Sequence, residues 1–148
     1  SKMSKIVRDK FNKEHQMPTT QVMGTISPVI ATKINQMVIS GDTSEAKTIV
    51  DTINTILKTQ ITDINADQFP EPFVSETKMN VDYTKPTGLF FLVASGNASV
   101  KIEGKTINLQ ERKIVFINER IPYNILSPTN SRLIMLSARF TWDKNIHA

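Results

Sequence analysis

The stretch "FFLVASGNASVKIEGKTINLQERKIVFINERIPYNI", residues 90–125, decides the fold class of this 148-residue chain. Apolar and polar residues alternate in it over short runs, which is the pattern of strands that bury one face. The runs "ASVKI" and "KTINLQ" are joined at Glu103-Gly104-Lys105, where Gly104 can adopt the positive φ of a hairpin turn. The stretch therefore predicts antiparallel strands.

Similar runs lie on both sides of that stretch. "TGLFFLVAS" begins before it, and "SRLIMLSARFTW" follows it after a break that contains Pro, Thr and Asn. Six or so short strands at close spacing, with turn residues between them, are typical of an antiparallel barrel or sandwich. We therefore predict a β domain over residues 77–148, with its strands before residue 142.

Residues 27–65 carry the signals of a helical hairpin. Ser27 can cap a helix that has Pro28 in its first position, and apolar residues at helical spacing follow. Gly41 can end this helix, which is expected over about residues 28–40.

The second helix of the hairpin is expected to begin at Asp42 or Thr43. A cap at Asp42 would place Glu45 in the capping-box position. One apolar stripe continues from there: Ala46, Ile49, Val50, Ile53, Ile56, Leu57, Ile61 and Ile64. Because two helices cannot bury both stripes alone, we expect the hairpin to pack on the barrel or on a second subunit.

Residues 1–26 are polar, and their scattered apolar residues follow no sustained period. Pro18 disfavours the helical region for Met17, so extended chain is expected from about residue 17 to 25. We predict a basic N-terminal arm that becomes ordered on binding a partner. Two prolines in residues 66–76 predict a linker whose phenylalanines dock on the barrel.

The residue types exclude several chemistries. The chain has no cysteine, which rules out disulfides, thiolate metal sites and cysteine nucleophiles. His15 and His147 lie near opposite ends, where chains are usually mobile, so a histidine-rich metal site is not expected. No phosphate loop, nucleophile elbow or His-Glu-x-x-His motif is present. Glu103, Glu111 and Glu119 fall at turns or strand ends, and we interpret them as solvated charges.

The net charge of +4 is unevenly spread along the chain. Residues 1–14 contain five basic and two acidic side chains, whereas residues 42–82 contain three and eight. Nucleic-acid binding is not expected, because the basic residues are not clustered with aromatic ones. No apolar run is long enough to cross a bilayer, and no secretory signal is present, so a soluble cytoplasmic or virion protein is expected. The excess of Ile (18) over Leu (7) is typical of AT-rich genomes such as those of many bacteriophages.

The order of the predicted strands resembles the double-stranded β-helix of cupins and iron(II)/2-oxoglutarate oxygenases. The resemblance covers about residues 78–140. It rests on a strand that ends in a small turn, a Gly-turn hairpin, a further strand and the strand pair in "RIPYNILSPTNSRLIML". It implies an α+β protein: an N-terminal arm and helical hairpin, then a C-terminal antiparallel jelly-roll barrel of the cupin type.

The oxygenase resemblance also implies positions for a functional site. That family has a His-x-Asp motif, a distal His and a basic residue for the 2-oxoglutarate carboxylate. On this chain the corresponding residues are Asn80 and Asp82, then Tyr123, then Arg132. Both histidine positions are substituted, and iron(II) sites of this type need two neutral imidazoles with one carboxylate. We therefore expect no metal and no cofactor, and the four residues are either a relic ligand-binding pocket or structural side chains.

Three functions follow as hypotheses. The first is a non-enzymatic interaction or assembly protein, in its most specific form a bacteriophage virion component, that binds protein partners or itself through helices 28–64 and the arm. The second is a module that binds a small anion or a sugar in a metal-free barrel pocket, an anion being held by Arg132. The third is an iron/2-oxoglutarate oxygenase. The substituted histidines favour the first, which predicts that the chain is not an enzyme.

Overall fold

The structure, a computed structural model, describes residues 2–128 and 132–148. Three helices lie in the described part of the chain: α1 (Lys2–Glu14), α2 (Pro28–Ser40) and α3 (Ala46–Leu57). Nine strands accompany them: β1 (Thr20–Thr25), β2 (Asn65–Phe69), β3 (Phe73–Val74), β4 (Thr87–Ser95), β5 (Ser99–Ile102), β6 (Lys105–Asn108), β7 (Lys113–Ile117), β8 (Tyr123–Ser127) and β9 (Leu133–Thr141).

The strands form two antiparallel sheets that pack face to face. The larger sheet has the order β1-β7-β4-β9-β2, and the smaller has the order β3-β8-β5-β6. The hairpin predicted at Gly104 joins β5 to β6, and both Glu103 and Gly104 have positive φ, at 52° and 72°. The predicted α+β class with an antiparallel cupin-like β domain is confirmed.

The five-stranded sheet is apolar on both faces. Along β4, Phe90 and Leu92 point towards the three helices, whereas Phe91 and Val93 point towards the smaller sheet. The same alternation along β9 places Leu136 with the helices. Two buried cores therefore share one sheet, and the near-continuous apolar run of β4 is the expected signature of a strand that is covered on both sides.

Helix α2 has the caps that its sequence predicts. The Ser27 side chain accepts a hydrogen bond from the Ile30 N–H at 3.2 Å, and Pro28 occupies the first helical position. Gly41 has a φ of 77°, and its N–H donates to the Met37 carbonyl at 2.9 Å.

Helix α3 is shorter at both ends than predicted. The capping box is wrong: the Asp42 carboxylate accepts a backbone N–H two residues on, in a turn, and the helix begins at Ala46. At the other end Lys58 adopts a φ of 56° and stops the helix. Ile61 and Ile64 therefore follow the helix in irregular chain, although both still pack against the core beneath the helices.

The predicted irregular structure at the N-terminus is wrong for residues 2–14, which form α1. Phe11 packs this helix onto the rest of the protein: its side chain is only 7% exposed and lies in the core beneath the helices. A single buried apolar side chain leaves no periodic signal, which explains why the sequence did not predict the helix. The extended chain predicted for about residues 17–25 is confirmed, because β1 pairs with β7 there.

The segment predicted as a linker contains β2 and β3, one at the edge of each sheet. Its phenylalanines dock as expected: the rings of Phe69 and Phe73 are 4.7 Å apart and pack against the core between the sheets. The expectation of a mobile C-terminus is also wrong for His147, which is 8% exposed. One ring nitrogen of His147 accepts the Asp143 N–H, so the other donates to the Leu57 carbonyl. The division of the chain into domains stays a prediction.

We predict that two of the three isoleucines of α2, Ile34 and Ile39, differ sharply in their contribution to stability. Ile34 is fully buried, so Ile34→Ala should lower the free energy of unfolding by about 2–5 kcal/mol because it leaves a cavity. Ile39→Ala is the matched control, since Ile39 is 59% exposed, and its effect should lie within about 0.5 kcal/mol. Urea denaturation followed by circular dichroism measures both, and equal losses would contradict the packing described here.

Candidate functional site

A cavity of about 890 Å³ lies between the two sheets. Inward-facing residues of β2, β4, β8 and β9 line it, together with the segment that follows β3 and the turn after β7. Several lining side chains are exposed, among them Lys78 and Met79, so the cavity reaches solvent. Its size and mixed apolar and polar lining are typical of small-molecule sites.

An ion pair between a buried carboxylate and a partly exposed guanidinium organises the polar side of the cavity. Glu119 is 2% exposed, and its two carboxylate oxygens accept hydrogen bonds from Nε and Nη2 of Arg139 at 2.7 and 2.9 Å. The Asn80 side-chain amide donates to the same carboxylate at 3.2 Å, and the Asn80 backbone N–H donates to the Glu119 carbonyl at 2.7 Å. The side-chain bond to Glu119 raises the pKa of Arg139, so its guanidinium stays charged. The interpretation of Glu119 as a solvated charge is wrong.

Tyr123 forms part of the cavity wall next to this pair. It is 4% exposed, and its ring centroid lies 6.4 Å from that of Phe91. Burial is the main reason that the pKa of Tyr123 rises to about 12, and the negative charge of Glu119 adds to the rise while Arg139 opposes it. The hydroxyl therefore remains a hydrogen-bond donor at neutral pH.

Of the four residues predicted for the site, two line the cavity and two do not. Asn80 and Tyr123 both line the cavity. Asp82 is exposed and is absent from the lining; its carboxylate accepts the backbone N–H and the hydroxyl of Thr84, which lowers its pKa. Arg132 is also exposed and absent from the lining, at the start of β9. A role of any of the four in ligand binding stays a prediction.

Glu119 and Arg139 are candidate functional-site residues that were not predicted from the sequence, although the alternation of side chains along the strands points to both. Leu133, Met135 and Ser137 face the cavity or the core beside it, and Arg139 is the next residue in that series. Glu119 likewise continues the inward-facing positions of β7 into the turn that follows. A charged residue at an inward-facing position is therefore the signal.

The side chains at the cavity do not fit the iron site of the oxygenases. No group of three or more His, Cys, Asp or Glu residues in the described chain is arranged to hold a metal ion. At the motif positions, Asn80 offers a neutral amide that is engaged with Glu119, and Tyr123 stays protonated at neutral pH. Glu119 itself is occupied by Arg139, so a divalent ion would have to break a bidentate pair.

Comparison with known proteins supports the fold. No protein-family model matches the sequence, and no curated protein is similar to it. Among solved structures, the chain is similar to a non-heme monooxygenase in the ThoJ–Ni complex, with 7% identity, a TM-score of 0.52, and coverage of 89% of this chain and 77% of that one. The chain therefore shares the fold of that protein, and this fold is cupin-like, as the sequence predicts.

Two further structures resemble the chain less closely. A prolyl-4-hydroxylase from Pseudomonas putida shares 11% identity over 95% of this chain and 93% of its own, with a TM-score of 0.49. The Cnp3 cupin domain of Schizosaccharomyces pombe shares 11% identity over 56% of this chain, with a TM-score of 0.45, and the chain spans 61% of it. At these identities the similarity concerns the fold alone.

We predict that Tyr123 ionises at an unusually high pH. Alkaline titration followed by tyrosinate absorbance should show a transition near pH 12 that Tyr123→Phe removes, because burial disfavours the phenolate. Tyr83→Phe is the control and should retain that transition. Circular dichroism at each pH confirms that the chain is folded. Ionisation of Tyr123 near its ordinary pKa of 10.0 in the folded chain would contradict the buried environment.

Proposed function

We propose that this protein binds a small, neutral, hydroxyl-rich molecule in the cavity between its sheets, without a metal. The observation that supports the proposal most directly is the bidentate Glu119–Arg139 pair on the cavity wall. The pair presents a fixed acceptor and a fixed donor at one place, which is the arrangement that orients a hydroxyl group. This proposal adopts the sugar form of the binding-module hypothesis.

The balance of charge favours a neutral ligand over an anion. Two basic residues, Lys78 and Arg139, line the cavity, and two acidic ones, Asp67 and Glu119, oppose them. Arg139 already uses two of its donors on Glu119, so an incoming anion would compete with a carboxylate that is held in place. A neutral hydroxyl group needs no such exchange. Arg132, the predicted anion ligand, has no part in this proposal.

The apolar side of the cavity supports the same class of ligand. The stacked rings of Phe69 and Phe73 border it, and the ring of Phe91 lies deeper, beside Tyr123. Aromatic rings bind the C–H faces of a sugar or polyol, while polar side chains bind its hydroxyl groups. The Tyr123 hydroxyl adds a donor that stays protonated across the physiological range.

We expect a panel of neutral sugars and polyols to contain a ligand that raises the melting temperature in the presence of a chelator. At a concentration of about 100 times Kd the stabilisation should be about 2.7 kcal/mol. Glu119→Gln should weaken that ligand at least about tenfold, because it removes the charged acceptor and its pairing with Arg139. Glu71→Gln, on the exposed surface, is the matched control.

Anions are the contrasting arm of that screen. Phosphate and 2-oxoglutarate should leave the melting temperature unchanged. Stabilisation by these anions alone, or only after a divalent metal is added, would overturn the neutral-ligand proposal, and so would equal binding by the Glu119→Gln variant.

Assembly is a second candidate function, and the distribution of charge favours it. Lys5, Lys10 and Lys13 are exposed on α1, whereas most of the eight acidic residues in 42–82 are exposed on α3, on β2 and, for the larger part, in the segments that connect the elements. Opposite charge on separate surfaces of one chain permits association between copies or with an acidic protein partner. The comparisons give no support to the virion role, and it is not part of this proposal.

If the charged surfaces bring copies together, association should depend on salt. Light scattering at about 10 mM ionic strength should then give a mass above that of one 16.7 kDa chain, and about 0.5 M salt should restore the monomer. Lys5→Glu/Lys13→Glu should abolish association, while Lys101→Glu/Lys105→Glu on the β5–β6 hairpin serves as the control. A monomer at every salt concentration would contradict this candidate.

A further inference from the structure

The side chains of the three residues after β7, Asn118, Glu119 and Arg120, point alternately towards α1 and towards the cavity. Glu119 points into the cavity, where it holds Arg139. Its neighbours Asn118 and Arg120 contact α1 instead: the Asn118 side-chain amide donates to the Asn12 side chain at 2.9 Å. The turn that positions Glu119 for the cavity ion pair therefore also forms part of the surface on which α1 packs.

Arg120 is the more unusual of the two neighbours. It is fully buried, and no carboxylate in the described chain lies within ion-pair distance of its guanidinium. The guanidinium donates to the carbonyls of Lys85 and Thr87, and its carbon lies 4.7 Å from the centroid of the Phe11 ring. Burial lowers the pKa of Arg120, although nearby carboxylates oppose the shift. A buried cation is costly unless it is well coordinated, so the α1 ring is part of what keeps it in place.

Helix α1 is otherwise lightly attached. Phe11 is its buried apolar anchor, whereas Ile6 and Val7 are 63% and 43% exposed. Tyr83 meets the Phe11 ring edge-on at 5.6 Å, and Arg120 covers it at 4.7 Å. Segments with so few buried contacts open locally at low free energy, well below that of global unfolding.

We infer that Asn118 and Arg120 are positioning residues, through which the docking of α1 holds Glu119 in the geometry that pairs it with Arg139. Release of α1 would remove the Asn12 bond and the Phe11 ring from the two residues that flank Glu119. The turn would then lose its restraint on the side opposite the cavity. By linkage, a molecule bound to the Glu119–Arg139 pair would in turn hold α1 more firmly. The identity of that molecule rests on the proposed function, but the coupling does not.

The coupling can be tested without any ligand. The side-chain Nε–H of Arg139 donates to Glu119, so its nuclear magnetic resonance signal reports the pair, and Arg139→Lys assigns that signal among the five arginines. Phe11→Ala should speed amide exchange in residues 2–14 and also speed exchange of the Arg139 Nε–H about tenfold or more. Phe11→Leu should restore most of the protection, and Ile6→Ala, at an exposed position of the same helix, should change neither signal.

Asn118→Ala approaches the same contact from the barrel side and keeps the Phe11 anchor. It should loosen α1 and the Arg139 Nε–H together, by less than Phe11→Ala does. An Arg139 signal that is unchanged while α1 exchanges freely in the folded variants would overturn the inference. If either variant unfolds, the deletion of residues 2–10, which leaves Phe11 and Asn12 in place, supplies the graded perturbation, and the readouts are then amide exchange in residues 11–14 and exchange of the Arg139 Nε–H.

The ligand arm separates this inference from the proposed function. If the sugar panel contains a ligand, that ligand should slow amide exchange in residues 2–14 of the natural sequence. If the panel contains none, the proposed ligand class fails while the Arg139 signal still decides the coupling. A bound sugar that leaves α1 exchange unchanged would count against the coupling and leave the binding function intact.

Discussion

The five-stranded sheet has two apolar faces, and both must be removed from water. The smaller sheet covers one face and the three helices cover the other, so β4 and β9 supply side chains to two cores at once. The helices of this chain are therefore not an appendage on a barrel: they are the second layer that makes the sheet stable. The cavity lies between the two sheets, on the face opposite the helices, and residues of the edge strands β2 and β3 line it.

Local signals in the sequence were sufficient for the elements that carry them. The apolar run of β4, the short strand patterns from β5 to β9, the turn at Gly104 and the Ser27, Pro28 and Gly41 signals of α2 all led to correct elements. The elements that lack a local signal were missed. Helix α1 depends on the contact of Phe11 with Arg120, which is distant in the sequence. Strand β2 is polar along most of its length, and its pairing with β9 stabilises it. Tertiary contacts determine the secondary structure of these segments, and no pattern within the segments themselves predicts it.

The site was predicted in part for the same reason. The resemblance led to Asn80 and Tyr123, which the fold brings to one cavity, but also to Asp82 and Arg132, which lie outside its lining. The basic residue that does reach the cavity is Arg139, in β9, whereas Arg132 immediately precedes that strand. Strand register, which a motif alignment does not encode, places Arg139 on the cavity side of β9.

The pairing of β1 with β7 has a consequence for the order in which the chain can fold. Thr20 lies opposite Ile117, and β9 lies between β4 and β2, so one edge of β4 and the pairing edge of β2 stay open until a strand near the end of the described chain is made. Early segments must therefore remain unpaired while most of the polypeptide is synthesised, since loop closure over such separations is slow. A chaperone that shields the apolar run of β4 until β9 emerges from the ribosome would act at the step where this protein is most exposed to aggregation.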